Sequence, residues 1–202
     1  IMQLLWWFGI HGPNVMSAVT TPFMTKMMAT NLELYQAGEG VTASGVFYTA
    51  GSKYSIIANP FASGWFSSTG SGITMGLIIA IMLFSKRDDF KAIAKLAIPC
   101  GIFNINEPII FGIPMVMNAM FAVPFFLAPV ACVCCGYLVQ SLGLCPLFVI
   151  DVPWTTPVGL FGFLASSGNI MGAIWQIVII VGVSTLIYTP FVIAANRQTE
   201  EA

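Results

Sequence analysis

The chain has 202 residues, 57% of them hydrophobic and 7% charged, with a formal net charge of −1. A soluble domain carries about 25% charged residues, so seven basic and eight acidic side chains cannot clothe a water-facing surface of this size. The bilayer is the natural solvent, and the near-neutral charge excludes a nucleic-acid-binding surface.

In lipid the backbone must pair internally, which leaves helices or a closed barrel. A barrel needs short alternating strands, and the long unbroken apolar runs argue against it. The expected fold is therefore an all-α polytopic membrane protein, with transmembrane helices, re-entrant hairpins and broken helices. The chain opens at Ile1 inside an apolar run (Leu4, Leu5, Trp6, Trp7, Phe8), with no initiator Met and no basic region ahead of it. This reads as a fragment lacking its N-terminal part. Gly9 to Asn14 then mark a break. Residues 22 to 53 scatter Lys26, Glu33, Glu39 and Lys53 among Gly and Thr, which predicts a loop with a short amphipathic or hairpin element.

Residues 54 to 85 carry no charge. Their first half is rich in Gly, Ser and Pro, and Ile73 to Phe84 predicts a helix. Gly72 and Gly76 stand at a spacing that lets helices approach closely. Gly70-Ser71-Gly72 lacks the preceding strand and third glycine of a dinucleotide fingerprint. Lys86, Arg87, Lys91 and Lys95 are four of the seven basic residues, so this loop is predicted to be cytoplasmic.

From Leu96 to Asn196 only Glu107 and Asp151 are charged, and Pro108, Pro114, Pro124, Pro129, Pro146, Pro153 and Pro157 punctuate the stretch. Such density predicts short, broken or re-entrant helices lining a protein-enclosed cavity. Ile170 to Ala195 reads as a full span, and residues 197–202 as a polar tail after a membrane-embedded portion over 1–196. The cysteines Cys100, Cys132, Cys134, Cys135 and Cys145 lie in apolar surroundings without the spacing of a metal site, so neither metal nor cofactor is expected.

Glu107 is the most informative residue. A carboxylate in lipid costs roughly 2.5–3.5 kcal/mol on insertion scales, so it is expected to face a cavity or a partner. Pro108 biases it away from helical geometry. With Asn104 and Asn106 this predicts a helix break where a carboxyl and two amides could bind several hydroxyl groups; the alternative is a carboxylate tied down by those amides. His11, the only histidine, stands in the Gly/Pro-flanked break. Trp154, in Asp151-Val152-Pro153-Trp154-Thr155-Thr156-Pro157, could stack on a pyranose ring or sit at a membrane interface. Trp6 and Trp7 carry the same ambiguity, and Asp151 is expected in a loop.

These residues match a known pattern. Trp6 to Asn14 resembles the sugar-contacting histidine segment of the phosphotransferase IIC proteins for lactose, cellobiose and diacetylchitobiose. Gly70 to Leu77 is similar to their glycine-rich segment, Leu96 to Phe126 to their long Asn-x-Asn-Glu-Pro motif, and Val152 to Gly162 to their Pro-Trp-Thr-Thr-Pro-Pro segment. The departures are Pro13, Ala119 and Val158, where the family often has Gly, Pro and Pro. The resemblance implies a C-terminal, sugar-binding half. Its missing N-terminal half would supply most of a homodimer interface in a bacterial plasma membrane. Glu107 and His11 would be the catalytic pair, and Trp154, Asn14, Asn104, Asn106 and Trp6 would bind a β-linked disaccharide. The phosphoryl donor would be a phosphocysteine on a IIB protein or domain, not a cysteine here. A proton-coupled secondary sugar transporter and an inactive membrane fragment are the rival readings.

Overall fold

A computed structural model describes residues 1–113 and 115–200; Pro114 and the last two residues of the predicted tail, 201–202, lie outside the described residues. The chain is helical, as the composition demands. The first break falls where Gly and Pro cluster. Helix α1, Met2–Trp7, ends with Gly9 at φ +80°. There the amides of Gly9 and Ile10 fold back on the carbonyls of Trp6 and Leu5, the usual way a left-handed residue closes a helix. Helix α2 then runs Gly12–Gln36. This corrects the sequence expectation of a loop from residue 22. Pro22 lies inside α2, and only Gly12 and Asn31 of the helix are buried, so no apolar stripe announces it. A two-stranded hairpin follows, Val41–Thr42 paired with Gly45–Val46, matching the hairpin element expected in this region.

Helix α3, Asn59–Trp65, starts with a proline in its first turn, where the missing N–H costs nothing. Helix α4, Met75–Phe84, and helix α5, Asp88–Ile102, flank the basic loop. Within that loop Arg87 lies 3.8 Å over the Phe90 ring and pairs with Asp89 at 2.5 Å. The Arg87 guanidinium holds the Asp89 carboxyl below the usual carboxylate range. After a break, helix α6 spans Glu107–Gly112. Here too the expectation is adjusted: Glu107 is the first helical residue, and the irregular backbone lies just before it.

Helix α7, Ala119–Ser141, and the continuous run Ile170–Arg197 are, among the described residues, the two helices long and apolar enough to cross a membrane. At 1.5 Å per residue both exceed the roughly 30 Å hydrocarbon core. The short helix α8, Leu160–Ala165, precedes the second span. That span is α9, Ile170–Ile177, a π-helical stretch over Val178–Val183, and α10, Ser184–Glu200. In this wide turn the Ser184 hydroxyl donates to the Ile180 carbonyl. Helix α10 runs on past Asn196, so the start of the predicted tail is helical. Arg197 in its last turn meets the negative end of the helix dipole.

One core joins α4, α5, α6, α7 and α10 around Leu77, Ile81, Ile109, Phe121 and Tyr188. Gly76 makes this packing close: a Cβ there would strike Ser184. The other gathers the hairpin, α3, α8 and the far half of α7 around Trp65, Phe148 and Phe161. Trp65 and Phe148 stack at 5.1 Å, and Gly136 of α7 leaves room for the indole. Charges play little part inside; buried amides do. Gln176 accepts from the amides of Gly159 and Gly162 at 2.8 Å each and donates to the Gly64 carbonyl at 3.2 Å. Asn196 caps the α4 end by accepting from the Lys86 amide at 2.9 Å and donating to the Phe84 carbonyl at 2.9 Å.

Candidate functional site

Three irregular segments meet at one place: residues 66–74 before α4, residues 103–106 between α5 and α6, and residues 151–159 before α8. With the α1–α2 break, α2 and α3 they border an open cavity of about 1190 Å³, beyond the usual 300–1,000 Å³ of small-molecule sites. The seven residues assigned to the site from the sequence line it: Glu107, His11, Trp154, Asn14, Asn104, Asn106 and Trp6; Trp7 and Asp151 do not. The seven come from three separate stretches of chain, residues 6–14, 104–107 and 154, so their convergence is a property of the fold.

The break before Glu107 is built by Asn104. Helix α5 ends with Asn104 at φ +66°, and the amides of Asn104 and Ile105 return to the carbonyls of Gly101 and Cys100. This is a left-handed helix stop in which asparagine takes the place more often held by glycine. The chain then turns into α6, whose first residue is Glu107. Its side chain is half-buried against the cavity and has no hydrogen-bonding partner among the described residues.

The flanking amides do not tie it down. Asn104, 5% exposed, accepts from the Thr69 amide at 2.6 Å and donates to the carbonyls of Trp154 and Thr156 at 2.5 and 2.9 Å. Asn106 donates to the Ser71 carbonyl at 2.6 Å. Asn104 therefore has its polar atoms engaged by protein, which makes it a poorer direct ligand than the sequence suggested. Asn106 holds the glycine segment in place: Gly70 sits at φ +83°, and a Cβ on it would land on the Asn106 amide. Thr69 and Ile73, at φ +60° and +53°, share the same left-handed geometry. For a β-branched residue that is a strained conformation, and such residues gather where a site is over-determined by its surroundings.

His11 is the N-cap of α2. Its Nδ1 accepts from the Asn14 amide at 3.3 Å, which places the proton of the neutral ring on Nε2. The imidazole leans on Trp6 at a centroid distance of 4.7 Å, and Trp6, 4% exposed, also meets Phe111. Trp6 is thus a packing support for His11 more than a free stacking surface. Trp154 is 60% exposed. Asp151 lies in a loop, as expected, and its carboxylate accepts from Asn59 at 3.0 Å.

Sequence reasoning missed the polar side of α2. Ser17, Thr20 and Thr21 face the cavity together with Asn14, and Asn59, Ser67 and Ser71 add further polar groups. The signal was present as a three-and-four spacing of small hydroxyl residues, but it became readable only once the helix was known to continue past Pro22.

Residues 1–129 match the family described as phosphotransferase system, EIIC. The chain belongs to that family. This EIIC chain is similar to the cellobiose-specific EIIC component of Lactococcus lactis subsp. lactis (strain IL1403), at 37% identity over 98% of the chain and 42% of that protein. It is similar to the lichenan permease IIC component of Bacillus subtilis (strain 168), at 37% identity over 98% of the chain and 41% of that protein. The crystal structure of the transporter ChbC, the IIC component from the N,N′-diacetylchitobiose-specific phosphotransferase system, matches with a TM-score of 0.86 at 33% identity. That match covers 98% of this EIIC chain and 43% of ChbC. The chain thus spans less than half the length of these relatives. Its helical architecture is that of a solved EIIC transporter.

Proposed function

We propose that the protein containing this chain translocates a β-linked disaccharide, of the cellobiose, chitobiose or lactose type, and releases it as the 6-phosphate. The reading is carried by one observation: the seven residues chosen from sequence share one cavity, and the Glu107 carboxyl there has no partner among the described residues. The names of the similar proteins, cellobiose-specific and lichenan permease components, support this substrate class.

In this mechanism the sugar binds between the broken segments, and Trp154 offers its face to the C–H side of a pyranose ring. His11 donates from Nε2 to a sugar oxygen while Nδ1 stays engaged by the Asn14 amide. The sugar's 6-hydroxyl oxygen attacks the phosphorus of a phosphocysteine on IIB. The new O–P bond forms as the S–P bond breaks, the thiolate leaves, and the hydroxyl proton passes to the Glu107 carboxylate. A base held at the reacting hydroxyl contributes typically 10²–10⁴-fold. The working protein is a homodimer in a bacterial plasma membrane, with the Lys86–Lys95 loop on the cytoplasmic side where IIB docks.

The test is Glu107→Gln in the full-length protein. We expect cellobiose phosphorylation by phospho-IIB to fall by roughly 10²–10⁴-fold, with melting behaviour in detergent unchanged. Full vectorial phosphorylation by this variant would remove Glu107 from the mechanism. Uptake that follows a pH gradient and needs no phosphorylated partner would assign the site to proton-coupled transport instead.

A further inference from the structure

We infer that Asn104 is a positioning residue that sets the Trp154 ring against the Glu107 carboxyl. The inference rests on the sugar-site reading above and goes beyond it, since it takes Asn104 out of the set of sugar ligands. The loop that carries Trp154 is fastened at three points. Its start is held by the Asn59–Asp151 bond at 3.0 Å, and its end by Gln176 on the Gly159 amide at 2.8 Å. Its middle is held from outside the loop by Asn104, through the carbonyls of Trp154 and Thr156, with no other side chain bonded to those two carbonyls among the described residues. The first two fastenings belong to α3 and α9. Only the third belongs to the break that ends in Glu107.

Trp154 is 60% exposed, so packing contributes little to where it sits. Its backbone sets where the side chain starts, and Asn104 grips that backbone. The surroundings specify an amide in one orientation: one N–H to be accepted and two carbonyls to be donated to. An amide offers both functions at once, whereas a carboxylate only accepts. The left-handed backbone at Asn104 adds a second requirement, which glycine and asparagine meet most readily. One residue therefore stops α5, places Glu107 three positions on, and holds the loop that presents the ring. Displacement of a sugar-stacking ring relative to a base by about 1 Å can cost 10²-fold.

Two substitutions separate the parts. Asn104→Asp keeps the acceptor for Thr69 and loses both donors toward the Trp154 loop. Asn104→Gly removes the whole side chain while accepting φ +66°, so it stays folded if a buried carboxylate does not. In the ligand-free full-length protein, hydrogen exchange at the Thr156 amide, which donates to the Pro153 carbonyl inside this loop at 2.9 Å, should accelerate at least tenfold in either variant, with α4 and α10 unchanged. Cellobiose affinity should fall about tenfold. In a double-mutant cycle, Asn104→Asp, which keeps the Thr69 bond, should add nothing to the loss caused by Trp154→Ala, because the donors it loses act through that ring. Unchanged exchange in the loop, or additive losses in the cycle, would overturn the inference. If the unaltered protein binds no cellobiose, the transport reading fails, while the exchange measurement still decides whether Asn104 is the clamp.

Discussion

The α4–α10 side of the molecule and the α5–α6 break are held together in different ways. Along α4 and α10 the helices satisfy their own backbone, and Leu77, Ile78, Ile81, Tyr188 and Val192 fill the space between them. At residues 66–74, 103–106 and 151–159 the backbone leaves regular structure, and its freed N–H and C=O groups need partners. Asn104 and Asn106 supply them, and left-handed residues at Thr69, Gly70, Gly72, Ile73 and Asn104 make the turns. An apolar protein can therefore place polar groups in a largely apolar cavity without burying many charges: it needs amides at the breaks and one carboxyl at the site.

Substitutions on the two sides should differ in kind as well as size. Gly70→Ala has the largest expected effect. It forces an L-residue into left-handed geometry and drives a methyl group onto the Asn106 amide, costing about 4 kcal/mol in all. Because Gly70 lines the cavity, sugar affinity should fall with stability. Leu77→Ala on the packed side should cost about 3 kcal/mol, measured by unfolding in detergent, yet leave cellobiose affinity within twofold once the protein is folded. A parallel loss of binding in Leu77→Ala would erase the distinction between the two regions. His11→Ala should weaken cellobiose binding about tenfold, equivalent to about 1.4 kcal/mol, as read by calorimetry. An unchanged affinity would remove the histidine from the site. Lys53→Ala breaks an ion pair to Glu39 whose side chains are 69% and 46% exposed, and stability should change by about 0.3 kcal/mol.

Much of this was legible in the sequence, for identifiable reasons. The uncharged run from Ile170 predicted the last span, because length and apolarity suffice for a span. Glu107, His11 and Trp154 stood out because a carboxyl, an imidazole and an indole beside Gly or Pro are unusual in an oily chain. Helix α2 was hidden because its polar positions, Asn14, Ser17, Thr20 and Thr21, face a cavity, and Pro22 reads locally as a stop. The part played by Asn104 was hidden for another reason. Its partners lie 35, 50 and 52 residues away, and local pattern carries no information about which distant carbonyl an amide will meet.

The most direct test of the account is the structure of the full-length protein with cellobiose bound. We expect the sugar's 6-hydroxyl within about 3 Å of the Glu107 carboxylate, His11 Nε2 on a neighbouring sugar oxygen, and the Trp154 ring against a pyranose face. A sugar seated elsewhere, with the Glu107 carboxyl facing lipid or engaged in a dry protein contact, would contradict it.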